Sequence, residues 1–358
     1  YLSAESSLFM QNATIEMTGD LYTTHGGGIF AAQHSHVHLI NSKIHGCTAN
    51  FAGGIFIESQ SSCSIMNNTV ISSNNAMLYN GAGMYIKDSK KILIRESLFE
   101  QNIAATMGGG IYFHVDAYAD IQDTTFKSNS ASQGGGCFFG RHSNGLLRDS
   151  LFVQNEAIQS GGALTLSRNR NEVLLMRTTF LSNSVEDDMG WGGAVEVNRA
   201  KGLFIDSTFS NNSANGGGGM LVKGNNSNVT LNSCDFQGNF GKGSFSVGGA
   251  VHVYNNAFLY LLGATKIEYN SAHNGGGAFV AEHGTIRVTQ EGSTRVSFNK
   301  NRARNHGGAI FFDGKESQGQ IVGATLSGNV AVYGGGGIYM SHVACINDKD
   351  SEIIEQCI

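Results

Sequence analysis

The chain has no proline, little charge, a single tryptophan and no long apolar run. Proline is zero among 358 residues, where roughly 5% is usual. Collagen is excluded, since Pro is absent and the 49 Gly follow no strict three-residue period. Charged residues make up 14%, against a usual share of about 25%. Net charge is −5 with no basic block, so nucleic acid is not an expected partner. No apolar run reaches the ~18 residues needed to cross a membrane as a helix. Six Cys decide little about redox compartment. The chain opens at Tyr1, without Met or a signal peptide. Its internal pattern runs to both ends, so it reads as a segment of something longer.

What the chain does contain is a repeat. Triplets of small residues recur with middle residues Gly27, Gly53, Ala82, Gly109, Gly135, Gly162, Gly193, Gly217 or Gly218, Gly249, Gly276, Gly308 and Gly336. Successive copies lie about 28 residues apart, a period that leucine-rich repeats nearly share, so length alone does not choose the fold. The pattern inside each copy does. After the triplet comes apolar–x–apolar, as in Val195-Glu196-Val197, then a polar turn. A second alternating run follows, such as Val173-Leu174-Leu175, closed by an acidic or amide residue and Ser/Thr, such as Asp149-Ser150. Two residues later comes Phe, and three after that Asn. Every run has period two and none sustains a helical period. The Leu ladder of leucine-rich repeats is missing.

These features predict an all-β chain: a single right-handed parallel β-helix of about twelve coils, with three short strands per coil. At about 4.8 Å per coil the rod is roughly 55 Å long. Residues 1–340 form the repeat domain, and 341–358 a Cys-containing edge. The residues after the triplets, from Ile29 through Leu164 to Ile338, should point inward. So should a Phe column running Phe9, Ile44, Val70, Phe99, Phe126, Phe152 and onward. Gly162, Gly193, Gly249 and Gly308 should mark corners where the chain bends and backbones approach closely. An Asn column that begins at Asn12 and includes Asn102, Asn129, Asn155, Asn183 and Asn212 should bond from coil to coil.

The two repeated blocks resemble those of the chlamydial polymorphic outer membrane proteins, whose passengers carry Gly-Gly-Ala-(Ile/Leu/Val) and Phe-x-x-Asn. The first is complete at Gly161–Leu164, Gly192–Val195, Gly248–Val251 and Gly307–Ile310. The second is complete from Phe9, Phe99, Phe126, Phe152, Phe180, Phe209, Phe236 and Phe298. The resemblance covers almost the whole chain, and repeats of this type also occur in protist surface proteins. It implies an extracellular, surface-exposed autotransporter passenger acting as an adhesin, on the outer membrane or an appendage. The family's C-terminal barrel is absent from this segment.

Candidate chemistry is sparse. The turn column Glu96, Asp123, Asp149, Arg177, Asp206 stacks acids on successive coils around one Arg. Glycoside cleavage and lyase chemistry both want clustered carboxylates. The alternative reading is that Asp and Ser/Thr close a turn on local backbone. His34, His36 and His38 alternate along one strand and are candidate metal ligands, or simply an exposed His-rich strand. The insertion Val185–Trp191 carries Asp187, Asp188 and the only Trp, and Phe240–Val247 and Thr289–Val296 also break the period. Trp191 either anchors a partner or folds down on the coil. The x position after each triplet should face outward, yet eight of twelve are aromatic: Phe30, Phe56, Tyr85, Tyr112, Phe138, Phe279, Phe311 and Tyr339. Such a stripe is a candidate binding surface, unless loops of the same coils cover it. Cys345 with Cys357, and Cys47 with Cys63, are candidate disulfides. Sequons at Asn12, Asn67, Asn211, Asn225 and Asn228 are candidate glycosylation sites.

Together these observations point to a non-catalytic extracellular β-helix, without cofactor or metal, that presents a rigid surface to a protein or glycan on a cell, or to other copies of itself. A structural subunit of an extracellular filament, assembled through uncapped ends or the stripe, is the first alternative. A carbohydrate-binding or carbohydrate-active β-helix is the second.

Overall fold

A computed structural model of the chain describes all residues except 21, 170, 171, 315, 342–344 and 347–358. One coil shows the rule for all. From the corner Gly161–Ala163 the chain enters strand Leu164–Ser167, turns into Glu172–Met176, turns again into Thr179–Leu181, and passes Asn183 into the two-residue strand Ser184–Val185. Each strand pairs in parallel with its equivalent one coil away, in registers Leu164↔Val195, Val173↔Gly202, Phe180↔Phe209 and Ser184↔Ser213. The result, among the described residues, is four parallel sheets of 12, 13, 12 and 11 strands and no α-helix. We call them the triplet, long, Phe and short sheets, in chain order. The short sheet makes four strands per coil rather than the expected three. Two-residue strands are too brief for alternation to reveal.

Alternation packs the lumen. Leu164 and Leu166, Val173 and Leu175, and Phe180 are all fully buried in one continuous core. Phe99, Phe126, Phe152, Phe180, Phe209 and Phe236 stack face to face at centroid spacings of 4.2–5.2 Å. Each buried Phe contributes about 1.5–3 kcal/mol, and stacking adds to this. The first coil departs from expectation. Phe9 lies on the long sheet opposite His38 and is exposed, and Ile15 takes the Phe-column place opposite Ile44. In the third coil Ile71, not Val70, is the inward residue, in register with Phe99. One extra or missing turn residue shifts a period-two strand to the other face.

The corner divides its two demands between two residues. The first triplet residue takes a positive φ, as at Gly161 (+63°). The middle one meets the next coil: a Cβ on Gly162 would lie 2.2 Å from the Gly193 carbonyl oxygen and 2.5 Å from that of Ser184. In the eighth coil the register Val195↔Met220 makes the triplet Gly217–Gly219 with Gly218 in the middle.

The Asn column is a continuous ladder from Asn74 to Asn329. Asn129 is typical: its Nδ2 donates to Asn155 Oδ1 (3.0 Å) and Phe99 O (2.9 Å), and its backbone N–H donates to the same Oδ1 (3.1 Å). Every donor and acceptor of the buried amide is thereby engaged. Asn12 is not a member. It is exposed, bonds to Asn41, and Thr18 stands in its place beside Cys47.

Candidate functional site

The outer face of the triplet sheet carries the x column, in register from Phe30 through Phe56, Tyr85, Tyr112, Phe138, Thr165, Glu196, Leu221, His252, Phe279 and Phe311 to Tyr339. This stripe is not an exposed surface. Phe56, Tyr85, Tyr112, Phe138, Phe279 and Phe311 are 4–7% exposed, and Phe30 and Tyr339 are half-buried. Side chains just before several triplets, among them His25, Phe51, Met107, Val247 and His306, fold back over them. His25 meets Phe56 edge-on at 4.8 Å, and His306 stacks on Tyr339 at 4.1 Å. A second apolar layer therefore lies outside the sheet, and burial pushes the Tyr112 hydroxyl up to about 12.

Between its two aromatic halves the layer is polar. Glu196, 2% exposed, holds the Lys223 ammonium at 2.8 Å and accepts from the Ser160 hydroxyl. Burial pulls Lys223 down, but the Glu196 carboxylate outweighs it and the net shift is upward. His252 is 4% exposed, with neither ring nitrogen hydrogen-bonded among the described residues. It stacks on Tyr254 at 4.7 Å and meets Phe279 edge-on at 5.2 Å. Burial, aided by Lys223, pushes its pKa from 6.5 down to about 3. The folded state thus holds His252 neutral while the unfolded chain takes up a proton below pH 6.5. Its contribution is complete above about 6.5 and is lost as pH falls toward 3, at about 1.4 kcal/mol per unit. His252→Phe, which continues the aromatic column, is expected to reduce the drop in melting temperature between pH 7 and pH 4.5; an unchanged drop would contradict this.

Trp191 lies folded against the coil. Its ring covers Gly216, where a Cβ would be 2.2 Å from the indole, and reaches His252 (5.3 Å) and Tyr254 (6.0 Å). It stays half-buried, because one side borders a groove of about 620 Å³. Trp191, Phe245, Val247, His252, Tyr254, Phe279 and Ala281 form the apolar side, and Glu282, His283, Asp313 and Glu316 the polar rim. Phe245 is 82% exposed. Two insertions, Val185–Trp191 and Phe240–Val247, thus converge on one groove. Asp187 and Asp188 stay at the exposed loop tip, where the Asp187 carboxylate accepts from the Met189 N–H.

The other candidates do not assemble. His36 and His38 are on a strand, but His34 sits in the preceding turn with φ +59°. His36 bonds to Ser62 and His38 stacks on Phe9. Among the described residues no three His, Cys, Asp or Glu form a metal-holding group. Glu96, Asp123, Asp149, Arg177 and Asp206 are exposed turn residues, all at positive φ, and Arg177 grips Asp149 through two bonds of 2.6 and 2.9 Å. Ser97 and Ser150 close those turns on the backbone two residues back. Cys47 and Cys63 are buried free thiols rather than a disulfide: Cys63 enters the lumen from the long sheet, whereas Cys47 enters it from the turn between strands Lys43–His45 and Thr48–Ala49. Cys345 opens a strand on the long sheet, but its side chain and Cys357 lie outside the described residues. Asn12, Asn67, Asn211 and Asn225 are exposed and Asn228 half-buried.

Sequence reading missed a basic column. Arg141, Arg168 and Arg199 are one coil apart and line a groove with Lys201. Residues some 27–31 positions apart form no block in the linear sequence; aligning the turns coil by coil would have found them.

No curated protein and no solved structure is significantly similar to the chain. The Chlamydia polymorphic membrane protein repeat model matches residues 295–313, which confirms repeats of that type. The right-handed β-helix region model matches residues 1–107 and 27–258, most of the chain. The chain belongs to the right-handed β-helix family.

Proposed function

We propose that the chain is a passenger-type module of a cell-surface protein, that it acts as an adhesin without catalysis, and that the groove between Trp191 and Phe245 is its recognition site. The repeat type supports a surface location. The observation that carries the site is the convergence of two period-breaking loops on one aromatic groove rimmed by carboxylates. A rod of stacked coils holds such a groove rigidly, so little ordering opposes binding. Aromatic anchors in a pocket dominate recognition energies. Trp191→Ala with Phe245→Ser should weaken binding of the purified chain to cells at least about tenfold, with melting temperature little changed for the exposed Phe245 substitution alone. Unaltered binding by the double variant would remove this assignment.

A further inference from the structure

A second groove, of about 630 Å³, lies along the turn that joins the triplet sheet to the long sheet. Arg141, Arg168 and Arg199 reach it from that turn on three successive coils, and Lys201 opens the long strand that follows. All four are exposed. Among the described residues none of them makes an ion pair, whereas Arg95, Lys127, Arg148, Arg177 and Lys223 each do. Coils repeat at about 4.8 Å, so the fold holds the three Arg on neighbouring rungs; the carboxylates near the groove are Glu172, in register with Lys201, and Asp116, beside His142. Such an array attracts anions, and Arg presents a fork suited to sulfate and carboxylate.

Asn169 lines the same groove. It is 4% exposed, and neither its amide oxygen nor its amide nitrogen has a hydrogen-bond partner among the described residues. A buried amide left unpaired is unfavourable. A ligand that offers both an acceptor and a hydroxyl donor relieves it. Acidic sugars offer both side by side; the backbone of duplex DNA offers phosphate oxygens without hydroxyls. Among the described residues no aromatic side chain lines the groove to stack on bases.

We propose that this groove binds an acidic glycan, sulfated or uronate-rich, laid along the rod axis. This site is separate from the Trp191 groove and does not depend on it. The test measures binding of the purified chain to heparin fragments, hyaluronan fragments and a DNA duplex over a salt series. At least one glycan should bind, more tightly than the duplex, with affinity falling as salt rises. Arg168→Glu with Arg199→Glu should weaken it at least tenfold. Lys266→Glu with Lys300→Glu, an equal charge change on the Phe-sheet side, should alter it less than about twofold. Asn169→Ala should lower affinity several-fold without changing the salt slope. If charge reversal lowers the melting temperature, Arg168→Gln with Arg199→Gln is read instead. Equal weakening by both double variants, tighter binding of the duplex, or no glycan binding at low salt would overturn the proposal.

Discussion

Asn155→Leu is expected to destabilise the rod by about 3–5 kcal/mol, although Leu and Asn differ little in size. The Asn155 Oδ1 accepts from both the backbone N–H and the Nδ2 of Asn129, and its own Nδ2 donates to Phe126 O and Asn183 Oδ1. Leucine removes all four bonds and leaves the two Asn129 donors buried without their acceptor, at a position closed to bulk solvent. Each orphaned group contributes about 1–3 kcal/mol. The gain from an added apolar side chain is smaller, since the site is already fully buried and packed. The damage should reach beyond one coil, because the next rung of the ladder is held by the same amide. Denaturant unfolding checks this. A loss under 1 kcal/mol would mean that the ladder is decorative rather than structural.

Gly162→Val should be comparably severe, about 3 kcal/mol or more. The reason is contact with backbone, not φ. The added Cβ would sit 2.2 Å from the Gly193 oxygen, 2.5 Å from the Ser184 oxygen and 2.8 Å from the Ser184 nitrogen, none of which can swing aside as a side chain can. To relieve the contact the coil spacing itself must open, which strains the parallel ladders on all four sheets. Gly292→Ala is the comparison. It has φ +60° but nothing within 4 Å of the new Cβ, so it should cost only about 1 kcal/mol. If thermal melting shows the two substitutions to be equal, close approach is not what Gly162 provides.

Legibility followed periodicity. The inward residues after each triplet, the Asn ladder from Asn74 to Asn329 and the coil length were readable because a stack imposes the same demand on every coil. Phe9 and Val70 were misplaced because local Phe-x-x-Asn or alternating context cannot sense a shift of register at a turn. The aromatic stripe was placed correctly outside the lumen, yet its burial was not legible. Its cover comes from single residues before the triplets, such as His25, Phe51 and His306, and their residue type changes from coil to coil. The groove was half legible. The insertions that carry Trp191 and Phe245 stood out against the period, but their meeting depends on Gly216 leaving room for the indole. The basic turn of Arg141, Arg168 and Arg199 was invisible until the coils were threaded.

Radical footprinting of the chain on intact cells tests the central claim most directly, because it reports contact without altering any residue. Trp191, Phe245 and the 70% exposed Met189 should lose reactivity on binding, while Tyr22 and Tyr333, 88% and 77% exposed, keep theirs. Protection at Tyr22 or Tyr333 with Trp191 and Phe245 unchanged would contradict the account.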